Sequence, residues 1–387
     1  LAKVLADPAV LTLSEALLDA PGVPTLYWGD GLAALAPALR AAPSARWFVD
    51  AAQDDGAPLG AHARRVESGV LPGPPWPTDP PCQRIAARLP GSREALALLA
   101  RVAAARLPPG GELWLAGHNR EGVKSAARRL ATAGFADVET RLVRRHCRVL
   151  VARRGGDPVP PVPTLAELEQ TYVLPRPRSR GAEAAPPPVE RARGELTIVS
   201  YPGTFSHGRL DDGSARLLRA LGVADRGVGS GRPLAWEALR PPRFARALDL
   251  GSGAGVLGAW LAAARPGARV TLVDRSAVAV ASAQATLARN ELGNARVLHV
   301  DVGALAGHED PVDLVVTNPP FHDGRREDRS LVERFVEAAH ALLRPGGWLW
   351  LVANRHLPYG PVIRAPFPRA EVVSEDRRYR VWRARKM

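Results

Sequence analysis

RALDLGSGAGVLGAWLAAA, residues 246–264, runs from a short apolar strand through a glycine-rich turn into an apolar helix. Glycines in such a turn leave backbone N–H groups open to a ligand, with no Cβ in the way. Working outward, strands are expected at Ala245–Leu250, Arg269–Asp274, Ala295–Val300, Val312–Thr317 and Trp348–Ala353. Helices fit between them at about 255–264, 276–290 and 329–343. The last of these carries Leu331, Phe335, Ala338, Ala339 and Leu342 at helical spacing. Strands alternating with helices specify an α/β fold, a parallel sheet covered on both faces. Two β-like runs, Ala370–Ser374 and Tyr379–Arg385, close the chain.

The residues around the turn narrow its ligand. Asp249 precedes Gly251, Ser252, Gly253 and Gly255, where a carboxylate can face the amino-acid portion of a methionine. Asp274 ends the next strand, the place from which an acid holds ribose hydroxyls. Asp301 ends the third strand and can accept from an adenine amino group. One aspartate at a strand end is more often a helix cap. Three in register with a glycine turn point to the crevice where open α/β sheets bind ligands. The glycine spacing departs from the dinucleotide pattern, whose third glycine is replaced by Val256. S-adenosylmethionine therefore fits better than a nicotinamide cofactor.

The fourth strand ends in Asn318-Pro319-Pro320-Phe321, followed by His322, Asp323, Gly324 and Arg325. Paired prolines end the ladder and fix an extended backbone. An exocyclic base amine is a poor nucleophile because its lone pair is delocalised into the ring. If the Asn318 side-chain oxygen and the Pro319 carbonyl accept its two hydrogens, the lone pair can be aimed at a methyl sulfonium. Phe321 can stack on the base. His322 and Asp323 can contact RNA, assist proton release or brace the loop; Gly324 and Arg325 continue the same substrate-facing run.

The segment 155–193 is rich in proline (PVPPVPTL, LPRPRSR, AAPPPVE) and reads as an extended linker with a short helix near Leu165–Gln170. It separates a domain at 1–154 from one at 194–387. LPPGGELWLAG (107–117) echoes LRPGGWLWLVAN (343–354), which suggests a duplicated α/β domain. The net charge is +13, shared by both halves and almost entirely arginine, since lysine occurs only at Lys3, Lys124 and Lys386. A polyanionic partner or a biased codon usage each accounts for it. Cys82 and Cys147 cannot make a disulfide framework or a cysteine zinc site, and fit a reducing cytoplasm. No apolar run is long enough to span a bilayer, and no secretory signal opens the chain. Leu1 stands where a Met is usual, so a residue or short segment is expected to precede it.

Together these motifs resemble the small-domain methyltransferases that modify the N2 amine of guanine in bacterial ribosomal RNA. The likeness runs from about Tyr201 to Tyr379 and includes PGTFSHGRLDDGS, LDLGSGAGVLG, VTLVDRSAVAVASA and the NPPFHDG loop. It implies tandem Rossmann-like domains, the C-terminal one with a seven-stranded, mostly parallel sheet and an antiparallel terminal strand. It implies an N-terminal copy without cofactor, ARLPGSREA standing where the active loop belongs. That copy would hold RNA, with GHNREGVKSAARR and RLVRRHCR as phosphate contacts, though a solvated face explains them equally. The resemblance places Phe205, Ser206, Asp211, Gly213 and Ser214 over the cofactor as a lid. From the residues alone, Asp211 or Ser214 can equally cap the following helix. The implied partner is 16S ribosomal RNA or the ribosomal subunit, bound by a cytoplasmic monomer without metal or membrane. A 23S-directed enzyme, a glutamine-N5 protein methyltransferase and an RNA-binding assembly protein with a vestigial fold are the alternatives.

Overall fold

The computed structural model describes residues 7–19, 23, 25–28, 46–48, 63–64, 82–177, 195–222, 242–305, 310–320 and 329–387. These fall into two compact units, one ending at Leu168 and the other beginning at Glu169.

In the first unit, strands β1 (Thr25–Trp28), β2 (Arg46–Phe48), β3 (Ala63–Arg64), β4 (Arg84–Arg88), β5 (Glu112–His118), β6 (Phe135–Arg144) and β7 (Cys147–Arg154) form one sheet. Its order is β3-β2-β1-β4-β5-β7-β6, with β7 antiparallel to both neighbours. Helices α1 (Pro8–Leu18), α2 (Arg93–Arg106) and α3 (Val123–Thr132) belong to this unit. Asp7 caps α1, its carboxylate accepting from Ala9 N at 2.8 Å. Ser92 caps α2 in the same way. Helix α3 buries Val123, Ala126 and Leu130 and leaves Lys124 and Arg128 exposed.

The described part of the proline-rich segment, residues 155–177, is more structured than an extended linker. A short helix α4 (Leu165–Leu168) is followed by strand β8 (Gln170–Pro175), which pairs antiparallel with β9 (Glu195–Ser200). Val159, Val162, Leu165 and Leu168 pack on the first unit's core, which carries that unit past residue 154. Proline forbids helix and central strand there, yet leaves the spaced apolar side chains free to pack.

The second unit repeats the architecture. After α5 (Asp212–Gly222) come β10 (Arg246–Leu250), α6 (Val256–Ala264), β11 (Arg269–Asp274), α7 (Ala277–Arg289), β12 (Ala295–His299) and β13 (Val312–Thr317). Then follow α8 (Arg329–Leu342), β14 (Leu343–Asn354), α9 (Gly360–Arg364), β15 (Glu371–Glu375) and β16 (Tyr379–Arg385). The order β12-β11-β10-β13-β14-β16-β15 matches the first sheet place for place. β10 to β14 are parallel; β16, the last strand of the chain, is antiparallel to β14 and β15. The central strands are buried along nearly their whole length, as strands covered on both faces must be. On α8 the buried stripe is Val332, Phe335, Val336, Ala339 and Leu342.

The Pro-Gly-Gly echo is a true structural repeat. Gly110 and Gly346 adopt φ of 80° and 81°. Each donates its N–H to the strand paired alongside, to Arg154 O and to Lys386 O, both at 2.8 Å. Only glycine takes that conformation without strain, so the same dipeptide recurs just before β5 and near the start of β14.

Candidate functional site

The C-terminal ends of β10, β11 and β13 deliver the sequence-predicted residues to one end of the sheet. Gly251, Gly253 and Gly255 have φ of 68°, 54° and 80°. Gly251 N and Ser252 N both donate to Val273 O at 2.9 Å, which pins the turn to β11. A Cβ on Gly251 would meet Phe335 at 3.0 Å, and one on Gly255 would meet Leu272 at 3.0 Å. One on Gly253 would meet nothing within 4 Å. The outer glycines are therefore required by packing, and Gly253 faces open space.

Asp249 is buried, and its Oδ2 accepts from Gly258 N at 2.8 Å. Its Oδ1 has no partner, nor has the buried Ser252 Oγ. Burial pushes the Asp249 carboxyl up to about 7, opposed by the Gly258 N–H and reinforced by the charge of Asp274. Asp274 accepts from Gly253 N and Ser276 N, each at 2.9 Å. Burial raises its carboxyl too, with those two N–H groups pulling the other way. Asp301 is more committed than the sequence suggests. Its Oδ1 accepts from Gly303 N at 2.9 Å and pairs with Arg334, while Arg275 lies 4.0 Å from Oδ2. It caps a turn and anchors α8, leaving Oδ2 as the oxygen with capacity for a ligand.

Asn318 follows Thr317, whose hydroxyl donates to Leu250 O at 2.7 Å and locks β13 against β10 just before the glycine turn. The Asn318 amide nitrogen donates to Asp211 Oδ2 and to Ser214 Oγ, both at 2.9 Å. A carboxylate can only accept, so this contact settles which end of the amide is nitrogen. Oδ1 is left buried and without a hydrogen-bond partner. Pro319 is buried and Pro320 exposed. Phe321, His322, Asp323, Gly324 and Arg325 lie outside the described residues.

Asp211 also accepts from Ser214 N at 2.9 Å, so it caps α5 and holds Asn318 with the same oxygen. Of the two sequence readings of this segment, helix cap and lid, the cap is what Asp211 makes, and it contacts Asn318 besides. Gly213 sits where a Cβ would lie 2.9 Å from Asp211 Oδ2 and 3.5 Å from the Asn318 nitrogen. Tyr379 lies at 3.2 Å from the same point, a residue that sequence reasoning did not single out. Burial and the nearby Asp211 raise the phenols of Tyr172 and Tyr379. No local motif could have marked these tyrosines, because β8 and β16 bring them in from distant parts of the chain.

Phe205 is 62% exposed and Ser206 takes a left-handed φ of 53°. The loop carrying them is tied to α7, Thr204 Oγ1 lying 2.8 Å from Ser282 Oγ. Its other end is closed by Ser200 Oγ, which contacts His207 Nδ1 at 3.0 Å and accepts from Gly208 N at 2.9 Å.

In the first sheet the place of β13 is taken by β4, followed by Leu89-Pro90-Gly91 in place of Asn-Pro-Pro. There Arg88 pairs with Asp7 and Glu121, filling the strand end with a closed ion cluster. Among the described residues no group of three or more His, Cys, Asp or Glu could hold a metal, and no helix is long and apolar enough to cross a membrane.

Residues 195–383 match the Methyltransferase small domain family, and residues 61–164 match the family of its N-terminal domain. A Pseudomonas aeruginosa protein, ribosomal RNA small subunit methyltransferase C, is 38% identical over 300 residues, 77% of each chain. A Hahella chejuensis protein of the same name is 35% identical over 80% of this chain and 79% of its own. Among solved structures, a T. thermophilus 16S rRNA N2 methyltransferase in complex with AdoMet and guanosine superposes with a TM-score of 0.74. It is 27% identical and the match covers 99% of this chain and 92% of that one. With a degenerate first copy, an intact glycine turn and an oriented Asn-Pro-Pro asparagine, the chain belongs to the ribosomal RNA small subunit methyltransferase C family.

Proposed function

We propose that this enzyme transfers a methyl group from S-adenosylmethionine to the exocyclic N2 amine of a guanine in 16S ribosomal RNA. The observation that carries the reading is the unpartnered Oδ1 of Asn318, held in place by Asp211 and Ser214. A buried acceptor without a partner costs about 1–3 kcal/mol unless a ligand supplies a donor. A primary base amine supplies two.

The residues present fit the cofactor. Asp249 Oδ1 and Ser252 Oγ are buried polar atoms awaiting partners, and Gly253 leaves room that a side chain would fill. In this reading Asp249 faces the methionine ammonium, Asp274 the ribose hydroxyls and Asp301 the adenine amine, with Phe205 and Ser206 as the lid. When bound, the cofactor supplies an electrophilic methyl group on a sulfonium. Asn318 Oδ1 and the Pro319 carbonyl accept the two amine hydrogens and turn the nitrogen lone pair out of the ring. Asn318 and Pro319 would thus hold the amine nitrogen toward that methyl group, and the proton the amine gives up would pass to solvent. Phe321 is assigned the stacking role, and His322 to Arg325 the flanking RNA. The enzyme acts in the cytoplasm as a monomer of 41.3 kDa, which light scattering checks.

Nucleoside mass spectrometry of small-subunit RNA from a strain lacking this chain tests the assignment. One N2-methylguanosine should disappear and return on complementation. An unchanged small-subunit profile, or a loss from 23S RNA alone, would contradict it.

A further inference from the structure

The hydrogen bond that aims Asn318 has an aromatic ring beside it. Gly213, the second residue of α5, is buried. A Cβ there would lie 2.9 Å from Asp211 Oδ2, 3.2 Å from Tyr379 Cε1 and 3.5 Å from Asn318 Nδ2. Side chains from the cap of α5, the end of β13 and the start of β16 thus close around one absent methyl group. Glycine weakens a helix relative to alanine, so position 213 gives up helical stability for that room.

Tyr379 is fixed in place by its backbone and by its ring. As the first residue of β16 it pairs with Asn354, the last of β14. Its N–H donates to Asp376 Oδ1 at 2.7 Å, and its carbonyl accepts from Asp376 N at 2.9 Å, which closes the turn before the strand. The Arg378 guanidinium lies 5.4 Å from the ring centroid and pairs with Asp212 at 2.9 Å, clamping the ring to the start of α5. Cε1 belongs to the ring edge, where the aromatic quadrupole is positive and suits a neighbouring anion. Burial, with the charge of Asp211, holds the phenol above its usual range. The hydroxyl therefore stays neutral at pH 7 and brings no second anion to the carboxylate.

Asn318 offers its oxygen to a substrate only while its nitrogen stays with Asp211 and Ser214. Water competes for such a bond, and a local environment of low dielectric strengthens it. We propose that Tyr379 is a positioning residue for methyl transfer: its ring edge keeps water from the Asp211–Asn318 hydrogen bond and so fixes the direction of Asn318 Oδ1. This rests on the reading above in which Asn318 receives the amine.

The test uses the full-length protein with Tyr379→Leu, Tyr379→Phe and Gly213→Ala, and with Tyr379→Leu combined with Asp211→Ala. Single-turnover transfer to small-subunit RNA is measured beside the dissociation constants for RNA and S-adenosylmethionine. Exchange of the Asn318 side-chain amide with solvent is followed by NMR on asparagine-labelled protein. Tyr379→Leu should slow transfer about tenfold and speed that exchange, with both dissociation constants held. Tyr379→Phe should recover most of the rate and of the protection, since the ring edge shields the bond and the hydroxyl does not. Gly213→Ala keeps the tyrosine but drives a methyl group between the three side chains, and should also slow transfer. In the Asp211→Ala background Tyr379→Leu should cost nothing more, because the bond it shields is already gone. Wild-type transfer in Tyr379→Leu or in Gly213→Ala overturns the proposal. So does a loss in Tyr379→Phe equal to that in Tyr379→Leu, or a Tyr379→Leu loss that adds in full to that of Asp211→Ala. A wild type that methylates no guanine, while protection of the Asn318 amide still depends on the ring, rejects the reaction and leaves the positioning role standing.

Discussion

A primary amide can present either its nitrogen or its oxygen to a substrate, and at Asn318 two neighbours decide. Asp211 and Ser214 take both nitrogen hydrogens, so the oxygen is the end left for the base. The same logic of incomplete satisfaction applies to Asp249. Its carboxyl, pushed up to about 7, is largely protonated in the free protein at about pH 6. A cationic ammonium binding there stabilises the carboxylate. Cofactor binding should therefore release about one proton near pH 6 and almost none near pH 8, measured by calorimetry in buffers of different ionisation enthalpy. Because the folded-state value lies above the unfolded one, ionisation of this group works against the fold. Its contribution to stability declines as pH rises from about 4 to about 7, and Asp249→Asn should flatten that slope. Gly253→Ala places a methyl group in the open space and a side chain at a φ of 54°. The strain costs about 1–2 kcal/mol, and cofactor affinity should fall more than thermal stability does.

At the scale of elements, α5 connects the site to the far edge of the sheet. Its N-terminus holds Asn318, while Arg216 one turn later donates to Ser374 Oγ at 2.8 Å and Asp376 Oδ2 at 2.5 Å. Arg378 closes the link by pairing with Asp212 at 2.9 Å. Cutting the tether with Arg216→Ala should cost about 0.5–1.5 kcal/mol of stability, since both partners are partly solvated. It should lower kcat several-fold with cofactor affinity unchanged, and a kcat equal to wild type would sever α5 from catalysis. The strands and helices around the glycine turn were legible because burial on both faces makes them continuous apolar runs, as in VTLVD and VDLVVT. Strand β8 was hidden, because Gln170–Pro175 is half polar and lies among prolines that argue against a ladder. The grip of Asp211 on Asn318 spans 107 positions, so the local pattern L-D-D-G-S showed a cap and concealed its second duty.

For the whole molecule, one architecture is used twice with opposite outcomes. The Pro-Gly-Gly turn and the strand order survive in both sheets, because they are demanded by backbone geometry. The cofactor chemistry survives in one. Where β13 of the second sheet is followed by an asparagine with a spare acceptor, the first sheet ends β4 in Arg88, closed by Asp7 and Glu121. If the first unit holds RNA, the exposed face of α3 is where phosphate contacts should show. Replacing Lys124 and Arg128, with Arg120 in the turn just before the helix, by Gln should then lower the slope of log affinity against log salt by about two to three. An unchanged slope would mean that this face is merely solvated. The charge of +13 and the repeated Pro-Gly-Gly were readable as signs of RNA and duplication. The ion cluster was not, since Asp7 and Glu121 reach Arg88 only through the folded sheet.

The central claim is that Asn318 Oδ1, oriented by Asp211, receives the guanine amine. Single-turnover methyl transfer to small-subunit RNA, measured for wild type, Asn318→Ala and Asp211→Asn beside their cofactor dissociation constants, addresses it most directly. The account expects transfer to fall by at least about a hundredfold in Asn318→Ala. A smaller loss is expected in Asp211→Asn, whose amide can offer Asn318 either a donor or an acceptor. Cofactor binding should be preserved in both. Wild-type transfer rates in Asn318→Ala, or a loss explained wholly by weaker cofactor binding, would contradict it.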